Sequence, residues 1–275
     1  MMQLNSATYY HQPKVSREER ERFDADLRDQ VERVQTSHPS AGYRTVRQYL
    51  ARLGVRVGER RLRRVMGKFG LQARIKRAFV RTTDSRHSHR VYPNLIKGML
   101  VTGVDQIWVS DITYIRIDNG FVYLAVILDL FSRRVVGWGL SKQIDGDLAT
   151  AALRMAIGQR KPKAGIIHHS DRGVQYLCKQ YVALLQEHRF HMSNSAKGNP
   201  YDNAFAESFM KTLKQDEVYL GSYQTYLDVI ENLPAFIEEV YNKTRVHSRL
   251  DYLTPIEVEE LAKSDKLDGR FDLEI

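Results

Sequence analysis

Apolar positions recur at helical spacing along the first third of the chain. Leu27, Val31 and Val34 fall at i, i+4 and i+7, the signature of one buried helix face. The charged run SREERERF, from Ser16, opens this helix. HPSAG (38–42) interrupts it. Val46, Leu50 and Leu53 mark a second face stopped by Gly54, and Leu62, Val65, Met66 and Phe69 a third stopped by Gly70. Three short helices with tight breaks predict a helix-turn-helix domain over residues 20–75. Residues 1–19 read as an N-terminal extension. Residues 76–105, which open on the polar, basic and aperiodic KRAFVRTTDSRHSHR, read as a basic linker.

From residue 106 the pattern becomes strand-like. QIWVSDITYIRI (106–117) is rich in β-branched and aromatic residues, DNG (118–120) signals a hairpin, and FVYLAVILDL (121–130) reads as a buried strand. SRR turns the chain into a third strand, VVGWGLS (135–141). Asp147 is placed to cap a helix running to about Arg160. GIIHH (165–169) is a short fourth strand, residues 175–188 a helix, and FHMS (190–193) a fifth strand. Further helices follow at NPYDNAFAESFMKTLK (199–214) and at 223–244, with Asn199–Asp202 as an N-terminal cap for the first. The fold class is α/β: a mixed five-stranded sheet with flanking helices at 106–222, preceded by the small all-α domain. Residues 223–275 form a C-terminal helical region and an acidic tail, the tail after 257 read as a solvated end. No GxGxxG, P-loop or internal repeat occurs.

Charge sharpens this division. The chain of 275 residues has a formal charge of +9, but residues 1–100 carry a net +13 and residues 101–275 a net −4. Within 51–100 alone there are 14 basic and 2 acidic side chains. A concentrated basic block attracts polyanions, nucleic acid first among them. On the third helix Arg60, Arg64 and Lys68 form a stripe away from the apolar face, and Arg61 and Arg63 bring the basic residues between 60 and 68 to five. A groove-reading helix has this form; a solvated amphipathic face is the competing reading. The single cysteine, Cys178, excludes a disulfide framework and a multi-cysteine zinc site. The longest apolar run, residues 121–128, is far short of the roughly 20 residues that span a bilayer. The N-terminus lacks a signal-peptide pattern. These features predict a cytoplasmic protein with no membrane partner.

The chemistry rests on three acids. At the helical period Asn203, Glu207, Lys211 and Lys214 share one face of the helix, while Phe205, Phe209 and Leu213 share another that docks on the sheet. Asp202 and Asp216 lie about 140° and 180° from Glu207 and cannot share its site. Asp111 stands in the middle of the first strand among apolar residues, where a carboxylate needs a partner or a cation. Asp171 follows the fourth strand, where α/β sheets gather ligands. Asp118 and Asp129 have sufficient roles in turns. Three gathered carboxylates repel, so one takes a proton or a divalent cation binds. Oxygen ligands suit Mg²⁺ or Mn²⁺, and a pair of such ions can clamp both oxygens of a phosphoryl transfer. The run His168, His169, Ser170 and Asp171 offers a serine-hydrolase arrangement instead, but adjacency in sequence is no triad and no G-x-S-x-G elbow exists.

IWVSDITYI, LDLFSRRVVGW, HHSDRGVQY, GNPYDNAFAESFMKTLK and YNKTRVHSRLDYLTP together resemble the catalytic core of insertion-sequence transposases. The resemblance is to the OrfB catalytic subunit of the IS-three family, relatives of retroviral integrases, and covers residues 40–258. It implies an RNase H-like fold and an Asp-Asp-Glu triad at Asp111, Asp171 and Glu207, with 35 residues between the last two. It also implies Mg²⁺, replaceable by Mn²⁺, with two ions per site. Asp111, Asp171 and Glu207 would be the metal ligands. Lys214 matches a basic position that contacts transposon-end DNA, and Tyr201 lies in what resembles a mobile active-site loop. Arg60, Arg61, Arg63, Arg64, Lys68, Tyr201, Asn203, Lys211 and Lys214 are the expected DNA contacts. The implied function is DNA transposition: cleavage at insertion-sequence ends, then attack of the freed 3′-hydroxyl on a second phosphodiester. Expected partners are transposon-end and target DNA, further copies of the chain, and a protein from an upstream reading frame, in a bacterial, nucleoid-associated setting. That upstream partner follows from a departure: the family's usual preceding helix-turn-helix and leucine-zipper segment has no counterpart before LNSATYY. Two alternatives stay open, separable by strand-joining and metal-uptake assays: an RNase H-like structure-selective nuclease and a non-catalytic DNA-binding regulator.

Overall fold

The computed structural model describes residues 16–73, 91–196, 203–221, 223–264, 266–267 and 269–275. The chain forms two compact units, divided at residue 74.

The first unit has three helices, α1 (Arg17–Ser37), α2 (Tyr43–Arg52) and α3 (Glu59–Lys68). Ser16 caps α1 through a capping box with Glu19, which satisfies donors that a helix start leaves open. Gly54 and Gly70, both at positive φ, end α2 and α3 in the backbone region that glycine enters at no steric cost. Leu27, Val31, Val46, Leu50, Leu62 and Val65 form the core between the helices. Asp24, only 2% exposed, lies among them. It accepts from Arg64 Nη1 at 2.8 Å, Arg64 Nη2 at 3.0 Å and Arg61 Nε at 3.3 Å. These contacts tie α3 to α1.

The second unit is a five-stranded sheet of order β4-β3-β2-β5-β6: β2 (Ile107–Ile117), β3 (Gly120–Asp129), β4 (Val135–Ser141), β5 (Ile167–Ser170) and β6 (His191–Asn194). β2, β3 and β4 pair antiparallel, and β5 and β6 join parallel. Ile117 pairs with Gly120, so Asp118 and Asn119 form the two-residue turn that DNG predicts. Between strands lie α4 (Gly146–Arg160), α5 (Val174–Leu177) and α6 (Lys179–Glu187). Asp145, not Asp147, caps α4. Extended backbone at Cys178 splits the helix expected at 175–188 into α5 and α6.

α7 (Ala204–Leu213) continues through a π-helical stretch, Lys214–Val218. α8 (Tyr226–Ala235) contains Pro234 and widens to π-helical bonding from Phe236 to Thr244. A proline removes one donor from the ladder and crowds the preceding turn. Pleating sorts the sheet's two faces. Val109, Ile115, Val122, Leu124 and Val126 pack with Phe209 and Leu213 of α7 and Leu233 of α8. Trp108, Ala125 and Ile127 pack with Leu148, Ala152 and Ala156 of α4 on the other face. Gly137 is required there, because a Cβ would sit 2.3 Å from the Ala152 carbonyl oxygen.

The C-terminal end is not a solvated tail. After α9 (Pro255–Lys263), β7 (Leu273–Glu274) pairs antiparallel with β1 (Leu100–Val101), and Val258 and Phe271 join the core. Glu259 is buried between Arg134 Nη1 and Arg160 Nη1, each at 2.6 Å. An even scatter of acids and apolar residues gave no sign of this clamp. Residues 91–105 are likewise structured, with Ile96 and Val101 in the core. Among the described residues no helix is long and apolar enough to cross a membrane.

Candidate active site

Asp111 sits mid-way along β2, opposite Val126 of β3. Parallel pairing of Val109 with His169 carries two residues further to bring Asp171 alongside Asp111. Asp171 is held in place by its own loop. Its Oδ1 accepts from Gly173 N at 2.8 Å, and its carbonyl accepts from Asn194 Nδ2 of β6 at 3.1 Å. A Cβ on residue 173 would lie 2.9 Å from Asp171 Oδ1, so glycine lets the loop close on the carboxylate.

Asp111 keeps part of its surface open to solvent, yet protein surrounds it on most sides. Burial first, and then the neighbouring Asp171 and Glu207 carboxylates, raise its pKa to about 8 against the opposing pull of the Ile112 amide and Lys214. The Ile112 amide donates to Asp111 Oδ1 at 2.9 Å. Glu207, on the exposed face of α7, is itself raised by burial alone. The repulsion therefore favours a protonated Asp111. Lys214 completes the group: burial lowers its pKa and the Asp111 charge opposes that shift. Its ammonium sits 4.5 Å from the Tyr114 ring centroid, a cation–π contact that aims it along the sheet.

The three acids interact, but they are not a closed cage. Among the described residues no three His, Cys, Asp or Glu side chains stand close enough together to hold a metal ion. The charge of Asp171 acts on Asp111 more strongly than that of Glu207 does. Asn203 Oδ1, beside the strand that carries Asp111, is buried without a hydrogen-bond partner. An oxygen-rich, electron-rich pair with such surroundings fits a hard divalent cation.

Asn203 corrects an expectation. Its side chain is buried, and its amide donates to the Ser110 carbonyl at 3.3 Å, so it supports the strand that carries Asp111 and does not reach a DNA backbone. Lys211 is exposed. Tyr201 and the cap at Asn199–Asp202 lie outside the described residues. On α3, Arg60, Arg63 and Lys68 are exposed, whereas Arg61 and Arg64 reach inward to Asp24. Asp216 is buried and paired with Arg245.

The histidine run is structural. His168 Nε2 bonds the Tyr181 hydroxyl at 2.8 Å. His169 bonds Ser193 Oγ at 2.8 Å and Ser195 Oγ at 3.0 Å. Ser170 Oγ donates to the Asp171 carbonyl, so no histidine faces it as a base. Sequence reasoning missed Tyr114 and Tyr176. Tyr114 is one more aromatic in a strand pattern. Tyr176 gains its place from the fold of the HHSDRGVQY loop, although its position in that motif was a usable signal.

Comparison with known proteins agrees with this architecture. The Integrase core domain family matches residues 101–200 and again 188–255, and an HTH-like domain matches residues 22–79. The chain is 35% identical to the uncharacterized 31 kDa protein of insertion element IS600 from Shigella sonnei, over 89% of each chain. It is 35% identical to the transposase of insertion sequence element IS904 from Lactococcus lactis, over 75% of this chain and 82% of that one. With transposase InsF of IS3A from Escherichia coli it shares 39% identity over 69% of this chain and 66% of the other. Fold and matches define an integrase-core enzyme of the polynucleotidyl-transferase type, RNase H-like in architecture and DNA-binding. The chain belongs to the IS3 family of insertion-sequence transposases, and its activity is DNA transposition.

Proposed function

We propose that Asp111, Asp171 and Glu207 form the catalytic Asp-Asp-Glu set of this transposase. The observation that supports this reading best is the Asp111 carboxylate, whose charge is disfavoured by Asp171 and Glu207 together and favoured by Lys214. Such a group wants a proton or a cation. Asp111 and Asp171 would hold one divalent ion jointly, and Glu207 with one of them a second. Bound Mg²⁺ or Mn²⁺ supplies an activated water or hydroxyl nucleophile and stabilises the leaving oxygen.

The chain's own residues do the rest. The Gly173 amide and Asn194 of β6 fix Asp171 at the end of β5. Asn203 steadies the Ser110 carbonyl next to Asp111. Lys214, braced on Tyr114, and the exposed Lys211 would hold the phosphates of a transposon end. Arg60, Arg63 and Lys68 of α3 would track the backbone of the DNA bound by the unit at 20–75, with Arg61 and Arg64 positioning that helix through Asp24. The reaction is end cleavage followed by attack of the freed 3′-hydroxyl on a second phosphodiester. Two ends must be joined, so the acting species is an oligomer.

The Glu207→Gln chain tests the assignment: it should bind end DNA as the parent does and lose at least about 10³-fold in cleavage, the scale of a lost electrostatic contribution in the transition state. Cleavage near the parental rate would refute it.

A further inference from the structure

Two adjacent arginines in the turn between β3 and β4 have opposite fates. Arg134 meets the buried Glu259 carboxylate at 2.6 Å. Arg133, among the described residues, has no ion pair and no side-chain hydrogen bond, and its Nε is buried without a partner. Its backbone is at φ +65°, an uncommon region for a non-glycine residue. Its guanidinium lies 4.0 Å from the centroid of Phe205 on α7, two residues before Glu207. Burial, with the charge of Arg249, lowers its pKa to about 10 against the opposing pull of Tyr241 and Asp129. The nearest acid, Asp129, is already taken by the amides of Asp105 and Ser132 and the Ser132 hydroxyl.

A second orphan faces the same region. His247 Nε2 is buried without a partner. Its ring packs edge-on to Tyr241 at 5.1 Å, and Tyr241 packs edge-on to Phe209 of α7 at 4.7 Å. Burial, with Arg245 and Arg133, holds its pKa down to about 3. The Asn242 side chain, next to Tyr241, bonds both the amide and the carbonyl of Val135 at 3.0 Å, which fixes this segment against the turn that carries Arg133. Arg249 follows two residues after His247, on a short turn anchored by the buried Leu250. Arg245 already has Asp216. Arg133 and the His247 ring lie within reach of each other's charge, with the exposed Arg249 beside Arg133. Among the described residues no carboxylate bonds any of the three, and Asp129 acts on Arg133 by charge alone. A largely buried guanidinium without a bonded anion is costly. Guanidinium forks match phosphate oxygens.

We propose that Arg133, His247 and Arg249 form a receptor for one backbone phosphate of bound DNA, next to the helix that carries Glu207. The proposal rests on the reading of the chain as a DNA-handling transposase and makes no use of its catalysis. The whole chain is titrated onto a labelled DNA duplex with a chelator present, between 50 and 200 mM salt, beside its Arg133→Met and Arg249→Ala variants. Each variant should bind about eightfold more weakly near 0.1 M salt, with a log K–log salt slope shallower by about 0.9, the share of one phosphate. Arg133→Met should melt no lower than the parent, because the side chain it removes has no carboxylate to lose. Parental slopes in both variants would overturn the receptor and leave the transposase reading standing. A parent with no affinity for the duplex would end both. If Arg133→Met melts lower, Arg249→Ala decides by the same slope.

Discussion

At the scale of single residues, a mid-strand aspartate among apolar neighbours announces itself, because a buried charge has few tolerable explanations. Asp111 was legible for that reason, and Glu207 from the helical period that separates it from Asp202 and Asp216. The supporting groups were not. Tyr114 and Tyr176 look like any strand or helix aromatic until the fold sets one under Lys214 and the other behind the acids. Arg133 and Arg134 are indistinguishable in the string SRR, and only the path of the C-terminal helix gives Glu259 to one of them. Gly173 tests how closely Asp171 must be held. Its φ of −63° admits alanine, but the added Cβ would press on Asp171 Oδ1 at 2.9 Å and Gln175 Oε1 at 2.8 Å. The glutamine can swing away and the short aspartate cannot. Gly173→Ala should fold with a loss of about 1 kcal/mol or less, while cleavage falls about 10²-fold, as a misplaced catalytic group does. Thermal melting and a cleavage assay on one preparation check both halves. A parental cleavage rate would show that the loop does not position the carboxylate.

Among elements, helix starts and strands were the readable parts. The Ser16 capping box pairs an opening serine with a glutamate three residues on, and β2, β3 and β4 are built from β-branched and aromatic residues between turn signals. The π-helical stretch at 214–218 and the break at Cys178 leave no local pattern, whereas Pro234 is a local mark of the stretch that opens at Phe236. α3 shows why a stripe of arginines is ambiguous: two of its five basic residues close on Asp24 of α1. Burial alone would raise the Asp24 pKa, but the hydrogen bonds and charges of Arg64 and Arg61 outweigh it and hold the group below its ordinary 3.8. A carboxylate with a depressed folded pKa contributes stability above its unfolded pKa, and that contribution is lost as pH falls through the folded value. Asp24→Asn should therefore cost the first unit about 1–3 kcal/mol at pH 7, a buried-pair loss reduced by the exposure of the two guanidiniums. The difference from the parent should shrink below pH 3.8. Amide hydrogen exchange over residues 17–68 of the whole chain measures it, and an equal difference at pH 7 and pH 2 would exclude the ion pair as its source.

For the whole molecule, the change of period near residue 106 and the change of charge near residue 100 give the same division into a basic helical unit and an α/β core. The return of the chain end to β1 was hidden, since two-residue strands carry no periodicity. The proposed site takes from the core an acid pair set by neighbouring parallel strands and a third acid brought by a helix. The central claim is that these three carboxylates act on shared divalent ions. A crystal structure of the chain soaked in Mn²⁺ and read by anomalous scattering tests it most directly. The account predicts manganese bound by oxygens of both Asp111 and Asp171, at about 2.0–2.3 Å as hard cations of this size require, with Glu207 drawn into the site. Manganese bound elsewhere, or an Asp111 that stays protonated beside Asp171 with no ion between them at saturating Mn²⁺, would contradict it.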